Sequence, residues 1–280
     1  FLMSRVIIRD ITSENEAASM IGYVTMGMSI IPLFAPGLGG LIQMLLGWPS
    51  IFLIMSLLGL LLLLLVFRDL GETKIIKKNK NTKSSASFIN LFWEAKFWGY
   101  SFTLAFSAGT FFSFLGGAPY VATKVYNLNS VVSGLVMGFP AAGYFIGNYL
   151  SGRYSKFYGI DYMALRGILL VIFGMFICLV ITVFYRDTPY FFFGLCSFVG
   201  LGNGLIIPNA SVGILSVNEN LSGTAGGIGN AIMIGTGAIL ASLTSYYLEN
   251  QNSSSYLIFI MLLSGALSYT SLYIFVLRNK

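Results

Sequence analysis

Apolar residues in this chain come in long runs, parted by short polar stretches. Eight runs are comparable to the ~20 residues that a helix needs to cross a hydrocarbon core. They cover about 18–46, 48–67, 97–118, 131–150, 162–184, 189–210, 222–248 and 255–277. Residues 1–8 read as the end of another apolar segment. Segments such as "LIMSLLGLLLLLLVF" do not alternate polar and apolar positions, so a transmembrane β-barrel fits poorly. The pattern predicts an all-α integral membrane protein, with eight complete spans and one partial span.

Composition supports this reading. Of 280 residues, 56% are hydrophobic and 9% charged, against about 25% charged in a soluble domain. The chain has no His and two Cys. Histidine-based zinc sites and Ser-His-Asp or Cys-His catalytic units are therefore excluded. Cys178 and Cys196 fall in apolar runs and read as buried thiols. Neither cofactor nor metal is implied.

Lys and Arg set the orientation. Residues 68–96 hold seven of the sixteen basic residues, which places that loop in the cytoplasm. Alternating sides from there puts fourteen basic residues inside and two, Lys124 and Arg186, outside, with the C-terminus cytoplasmic. The net charge of +6 is this bias and assigns no nucleic-acid partner. The stretch "KIIKKNKNTKSSAS" reads as a basic linker with some attraction to anionic lipid. It divides the chain into 1–67, the linker 68–96, and a six-span part over 97–280.

The first long span contains "IIPLFAPGLGG". Pro36 cannot donate to the carbonyl of Pro32, nor Pro32 to that of Met28. Pro32, Pro36 and Gly40 share one helix face. A kinked helix with a stripe poor in side chains is expected there, able to pack closely against another backbone. Tight packing with no moving part is one reading; a deformable contact between half-bundles is the other.

The segment 22–40 resembles the antiporter signature of the major facilitator superfamily, which ends in Gly-Pro, two residues, Gly-Gly. Here "APGLGG" matches at Pro36, Gly39 and Gly40, with Ala35 for the first glycine. Gly22 matches the leading glycine, and Ile31 departs from a middle one. "RVIIRD", "GWPSIF", "GAPYV", "GNGLIIPNA" and "GTAGGIGNAIMIGTGA" follow in order and resemble exporters of the bicyclomycin and chloramphenicol resistance type, often called Bcr/CflA. The resemblance covers nearly the whole chain. It implies a major-facilitator helical bundle in which the spans are helices five to twelve, preceded by the end of helix four, in an N-terminally truncated chain. It implies a monomeric drug:proton antiporter of the bacterial inner membrane, working by alternating access on a drug-like small molecule. Gly22, Pro32, Pro36, Gly39 and Gly40 would form the interface and hinge.

Polar residues inside the spans are candidates for the transport path. Asn203 and Asn209 flank Pro208, which should free the carbonyl of Gly204 for Asn209 to serve; local capping and cavity lining both fit. Asn230 suits an interhelical hydrogen bond or the path wall. Ile232 stands where the family often has Gln, which weakens polar substrate contact there. Pro119 reads as a helix stop. "SGRYSKFYG", 151–159, reads as a basic loop. No Asp or Glu lies within any span, so the proton step is assigned to no residue here. A metabolite carrier, working by uniport or symport, and a non-functional gene fragment are the rivals. A membrane-embedded enzyme would need acids or a nucleophile with a base at membrane depth, and the spans hold none.

Overall fold

The computed structural model describes residues 2–69, 88–128, 130–185, 187–218, 221–250 and 253–278. Side chains within 31–41, which include Pro32, Pro36, Gly39 and Gly40, lie outside the described residues, as do 70–87 of the expected linker. Every element among the described residues is helical.

Eleven α-helices follow one another: α1 Leu2–Ile11, α2 Glu14–Leu46, α3 Pro49–Asp69, α4 Phe88–Trp93, α5 Ala95–Tyr120, α6 Ser130–Val136, α7 Phe139–Tyr158, α8 Ile160–Phe184, α9 Pro189–Ser216, α10 Ser222–Asn250 and α11 Ser254–Leu272. Among the described residues, six helical segments are long and apolar enough to cross a membrane: Pro49–Asp69, Ala95–Val125, Ile160–Phe184, Pro189–Ser216, Ser222–Leu248 and Ser254–Leu277. The described residues thus account for six of the eight expected spans. The first expected span falls on α2, much of which carries undescribed side chains.

Three boundaries differ from expectation. The span expected over 131–150 is broken at Met137–Gly138, and α7 begins at Phe139. Pro140 occupies its first turn, where a missing N–H costs nothing because that donor has no helical partner. The later start carries α7 through "SGRYSKFY", so these residues are its last two turns and not a loop. Gly159 ends it with φ +84°, a left-handed conformation that glycine adopts without penalty, and α8 starts at once. Nor does Pro119 stop its helix. α5 continues to Tyr120 and passes into a π turn at Val121–Val125.

The C-terminal bundle is built around α5 and α9. α5 packs against α10, α11 and α9; α9 packs against α7 and α8. The α7–α9 crossing is a backbone contact. Gly143 and Gly147 face Ser197 and Leu201, while Gly200 and Gly204 face Pro140, Gly147 and Asn148. Small residues four apart on both helices allow this approach, which in lipid supplies the van der Waals attraction that water-driven burial cannot. α3 has no buried residue, and its leucines point outward along its whole length. Such an all-round apolar helix suits lipid and not water.

Candidate functional site

The N-terminal helices α1 and α2 meet the C-terminal bundle along one seam. α2 lies on α7 and α9, and α1 on α9 and α10. Four contacts tie it at one end. Glu16 and Lys156 form an ion pair at 2.9 Å. The Ser19 hydroxyl donates to the Gly152 carbonyl. Gly22 touches Gly152, where a Cβ added to Gly22 would lie 2.5 Å from the Gly152 nitrogen. Tyr23 covers Gly152 from the other side, its ring 2.9 Å from where a Cβ on that glycine would stand. Residues 16, 19, 22 and 23 share a face of α2, and 148, 152 and 156 recur every four residues on α7, so helical spacing alone brings them together.

The second half of the seam is made by two arginines. Arg5 is 3% exposed and donates from Nη1 to Ser211 Oγ at 2.6 Å. Arg9, one turn on, donates from Nε to Ser216 Oγ at 3.0 Å, and from Nη1 to the Thr12 carbonyl at 3.4 Å. Both serines are on α9. Arg5 also borders a small cavity closed by Leu104, Ser211, Ile214, Leu215, Gly226 and Asn230.

The polar residues singled out by sequence separate here. Asn230 lines the cavity beside Arg5, and its Oδ1 is buried without a hydrogen-bond partner. Asn203 is 2% exposed inside the bundle; its Oδ1 accepts from Ser107, and its Nδ2 donates to Thr110 Oγ1 at 3.3 Å. Asn209 Nδ2 donates to Ser151 Oγ at 2.9 Å and to the Leu205 carbonyl at 2.7 Å. The carbonyl it serves is therefore that of Leu205, not Gly204. Pro208 is buried within an unbroken α9. Gly22 is at the seam; the other four residues of the signature have side chains outside the described residues.

Sequence reasoning missed Arg5. Its signal was present: with Arg9 it repeats at i, i+4 beside Ile7 and Ile8, which places two charges on one face of a short apolar helix. No group of three or more potential metal ligands occurs among the described residues.

The family model described as Major Facilitator Superfamily matches residues 1–242. A bicyclomycin resistance protein homolog of Haemophilus influenzae is 28% identical over 87% of this chain and 62% of its own length. Multidrug resistance protein D of Escherichia coli is 25% identical over 87% of the chain and 61% of its own length. Multidrug resistance protein MdtL of Salmonella typhi is 24% identical over 86% and 62%. The chain thus spans about three fifths of the length of these relatives.

Proposed function

The chain belongs to the Major Facilitator Superfamily, a family of transporters and not enzymes, and from that membership we propose that it forms most of a drug exporter. Protons drive efflux of amphipathic small molecules across a bacterial inner membrane by alternating access. Residues 1–67 contribute to one half-bundle, 97–280 make the other, and the basic stretch between them is the cytoplasmic linker. The protein works as a monomer in lipid, with its C-terminus in the cytoplasm.

The observation that carries this reading is the seam. Among the described residues it is held at one end by a glycine–glycine contact, one ion pair, the Ser19–Gly152 hydrogen bond and two Arg–Ser hydrogen bonds, bonds that can exchange as two bodies rock. By the charge-derived topology that end is cytoplasmic, so this arrangement is the state closed to the cytoplasm. Gly22, Pro32, Pro36, Gly39 and Gly40 line the seal and hinge. Of the polar candidates, Asn230 borders the path, while Asn203, Pro208 and Asn209 hold the C-terminal bundle together.

The test is drug accumulation in a sensitive host that expresses the whole protein. Lower accumulation of at least one amphipathic drug, abolished by a protonophore, is the expected result. Efflux that survives the protonophore overturns proton coupling. A broad drug panel without efflux, alongside uptake of a metabolite, overturns the export reading.

A further inference from the structure

We propose that the outward face of α8 binds one anionic phospholipid, with its phosphate on Arg166 and an acyl chain in the groove that leads away from that residue. Such a site needs only that the chain lies in a bilayer, so it goes beyond the exporter reading and stands whatever the protein carries.

Arg166, Leu169, Leu170, Ile172, Phe173 and Phe176 line an open groove of about 560 Å³, many times the ~30 Å³ share of one water in the liquid. From residue 166 to residue 176 it descends about 15 Å along the helix, at 1.5 Å per residue. Its neighbours hold its side chains in place. Phe173 meets the Phe198 ring of α9 edge to face at 6.4 Å, and Ile172 lies against Gly265 of α11. A groove of this shape takes a chain and not a compact solute.

The charge sits at the correct end. Arg166 is exposed, and its guanidinium carbon lies 4.9 Å from the centroid of the Tyr162 ring. Helical side chains lean toward the N-terminus. The cation is therefore carried back one turn, toward the membrane surface, while the groove runs the other way. A cation at headgroup level beside an apolar channel matches the order of polarity within a phospholipid.

Nearby charges are engaged elsewhere. Asp161, in the first turn of α8, accepts from the Tyr100 hydroxyl at 2.6 Å. Lys156 of α7 is paired with Glu16 at 2.9 Å. Arg166 takes part in no ion pair among the described residues. A guanidinium over a ring bonds through its face and keeps its edge donors, which fit two phosphate oxygens side by side.

Three exposed tyrosines extend the site across the α7–α8 turn. The rings of Tyr154, Tyr158 and Tyr162 follow one another at 6.2 and 5.3 Å. Arg153 closes the far end, 5.7 Å from the Tyr154 ring. Tyrosine settles where apolar core meets headgroups, so these rings mark the level at which Arg166 acts. Arg153 adds a second positive charge there, which repels the cationic end of a zwitterionic headgroup and favours an anionic one.

The experiment offers the purified whole protein in detergent equimolar dioleoylphosphatidylglycerol and dioleoylphosphatidylcholine, and counts retained lipid by native mass spectrometry. One phosphatidylglycerol should be retained at concentrations where phosphatidylcholine is not. Arg166→Gln should weaken that retention by about tenfold or more, the loss of a charge-assisted hydrogen bond, and Arg166→Lys by less. Leu169→Trp fills the groove without touching the charge and should weaken it too. Lys124→Gln, which removes an exposed charge at the other end of the bundle, should leave it unchanged. Soluble glycerol 3-phosphate in large excess should not displace the lipid. Equal retention of the two lipids by the wild type needs no variant to fold, and it overturns the inference. So does phosphatidylglycerol retention that is equal in wild type, Arg166→Gln and Leu169→Trp. Displacement by glycerol 3-phosphate makes the site one for free phosphate and overturns the lipid assignment. None of these results bears on drug export, which the accumulation assay tests separately.

Discussion

Gly22 and Gly152 meet backbone to backbone: a Cβ on Gly22 would sit 2.5 Å from the Gly152 nitrogen and 2.8 Å from its Cα. The contact joins α2 to α7, and a side chain on either glycine has nowhere to go, because Tyr23 closes the other side of Gly152. Backbone cannot swing aside as a long side chain can. The separation of these helices at this level is therefore set by the absence of a Cβ on Gly22.

Gly22→Val should push α2 off α7. Overpacking of this kind costs about 1–3 kcal/mol, a factor of about 5–150 in a conformational equilibrium. The variant should insert normally, favour the state open to the cytoplasm, lose coupled export and leak protons. Gly27→Val is the control, since a Cβ there meets nothing within 4 Å. Efflux and proton leak in vesicles measure both. Normal coupling in Gly22→Val with weaker affinity for a single drug would make this stretch a binding surface and not a seal.

The Glu16–Lys156 pair yields a prediction about pH. Hydrogen bonding to Lys156 holds the Glu16 carboxyl below its ordinary value. A depressed pKa means the pair's contribution is complete above the unfolded-state value of about 4.3 and is lost only as pH falls through the lower folded value. Between pH 5 and 8 it is constant. Glu16→Gln should accordingly leave the shape of the transport–pH profile over that range unchanged. Both groups are exposed, so the effect on stability should be small. A profile that shifts or flattens in Glu16→Gln would assign Glu16 to the proton path.

Cysteine labelling checks the topology. Phe157 is exposed near the end of α7, on the side that the Lys and Arg count places in the cytoplasm, and Asn127 lies exposed after the π turn on the opposite side. An impermeant thiol reagent applied to intact cells should label Asn127→Cys and spare Phe157→Cys. The reverse result inverts the orientation and moves the closed end of the seam to the outer face.

Much of this fold was legible because lipid demands long apolar runs and leaves few other ways to place them. Element boundaries were less legible where one residue decided between two local outcomes. Pro140 starts α7, whereas Pro119 sits inside α5. Proline favours a first turn, yet in a bundle neighbouring groups tolerate it inside a helix, and sequence does not say which applies. The seam was half legible. Gly22, the leading glycine of the 22–40 resemblance, makes a close contact, but its partner Gly152 stood in what read as a loop. Arg5 was hidden by its setting, since an arginine near the end of an apolar run looks like positive-inside charge until α9 is seen to bury it. Asn203 was visible, but its partners Ser107 and Thr110 were not, because small hydroxyls recur along every span.

Asn203 therefore supplies the last test, between packing and path. Its amide is bonded from within the bundle at both ends: Ser107 donates to Oδ1, and Nδ2 donates to Thr110 Oγ1 at 3.3 Å. Thr110 in turn donates to the Ser107 carbonyl at 2.6 Å. A group bonded at both its oxygen and its nitrogen and only 2% exposed is held as a packing residue and presents little surface to a substrate. Asn203→Leu keeps the volume and removes the amide. The orphaned hydroxyls lose little, since serine and threonine in a helix turn back onto their own backbone carbonyls. Buried polar pairs in membrane proteins contribute on average about 0.6 kcal/mol each, so two bonds amount to about 1 kcal/mol. Thermal unfolding in detergent should shift down by that small amount, with the range of exported drugs unchanged. Asn203→Asp is the sharper probe: it places a charge among the same neutral partners, where a centre-of-membrane acid costs about 2.5–3.5 kcal/mol, and it should accumulate poorly. If Asn203→Leu instead keeps its unfolding midpoint and alters which drugs are exported, Asn203 belongs to the transport path.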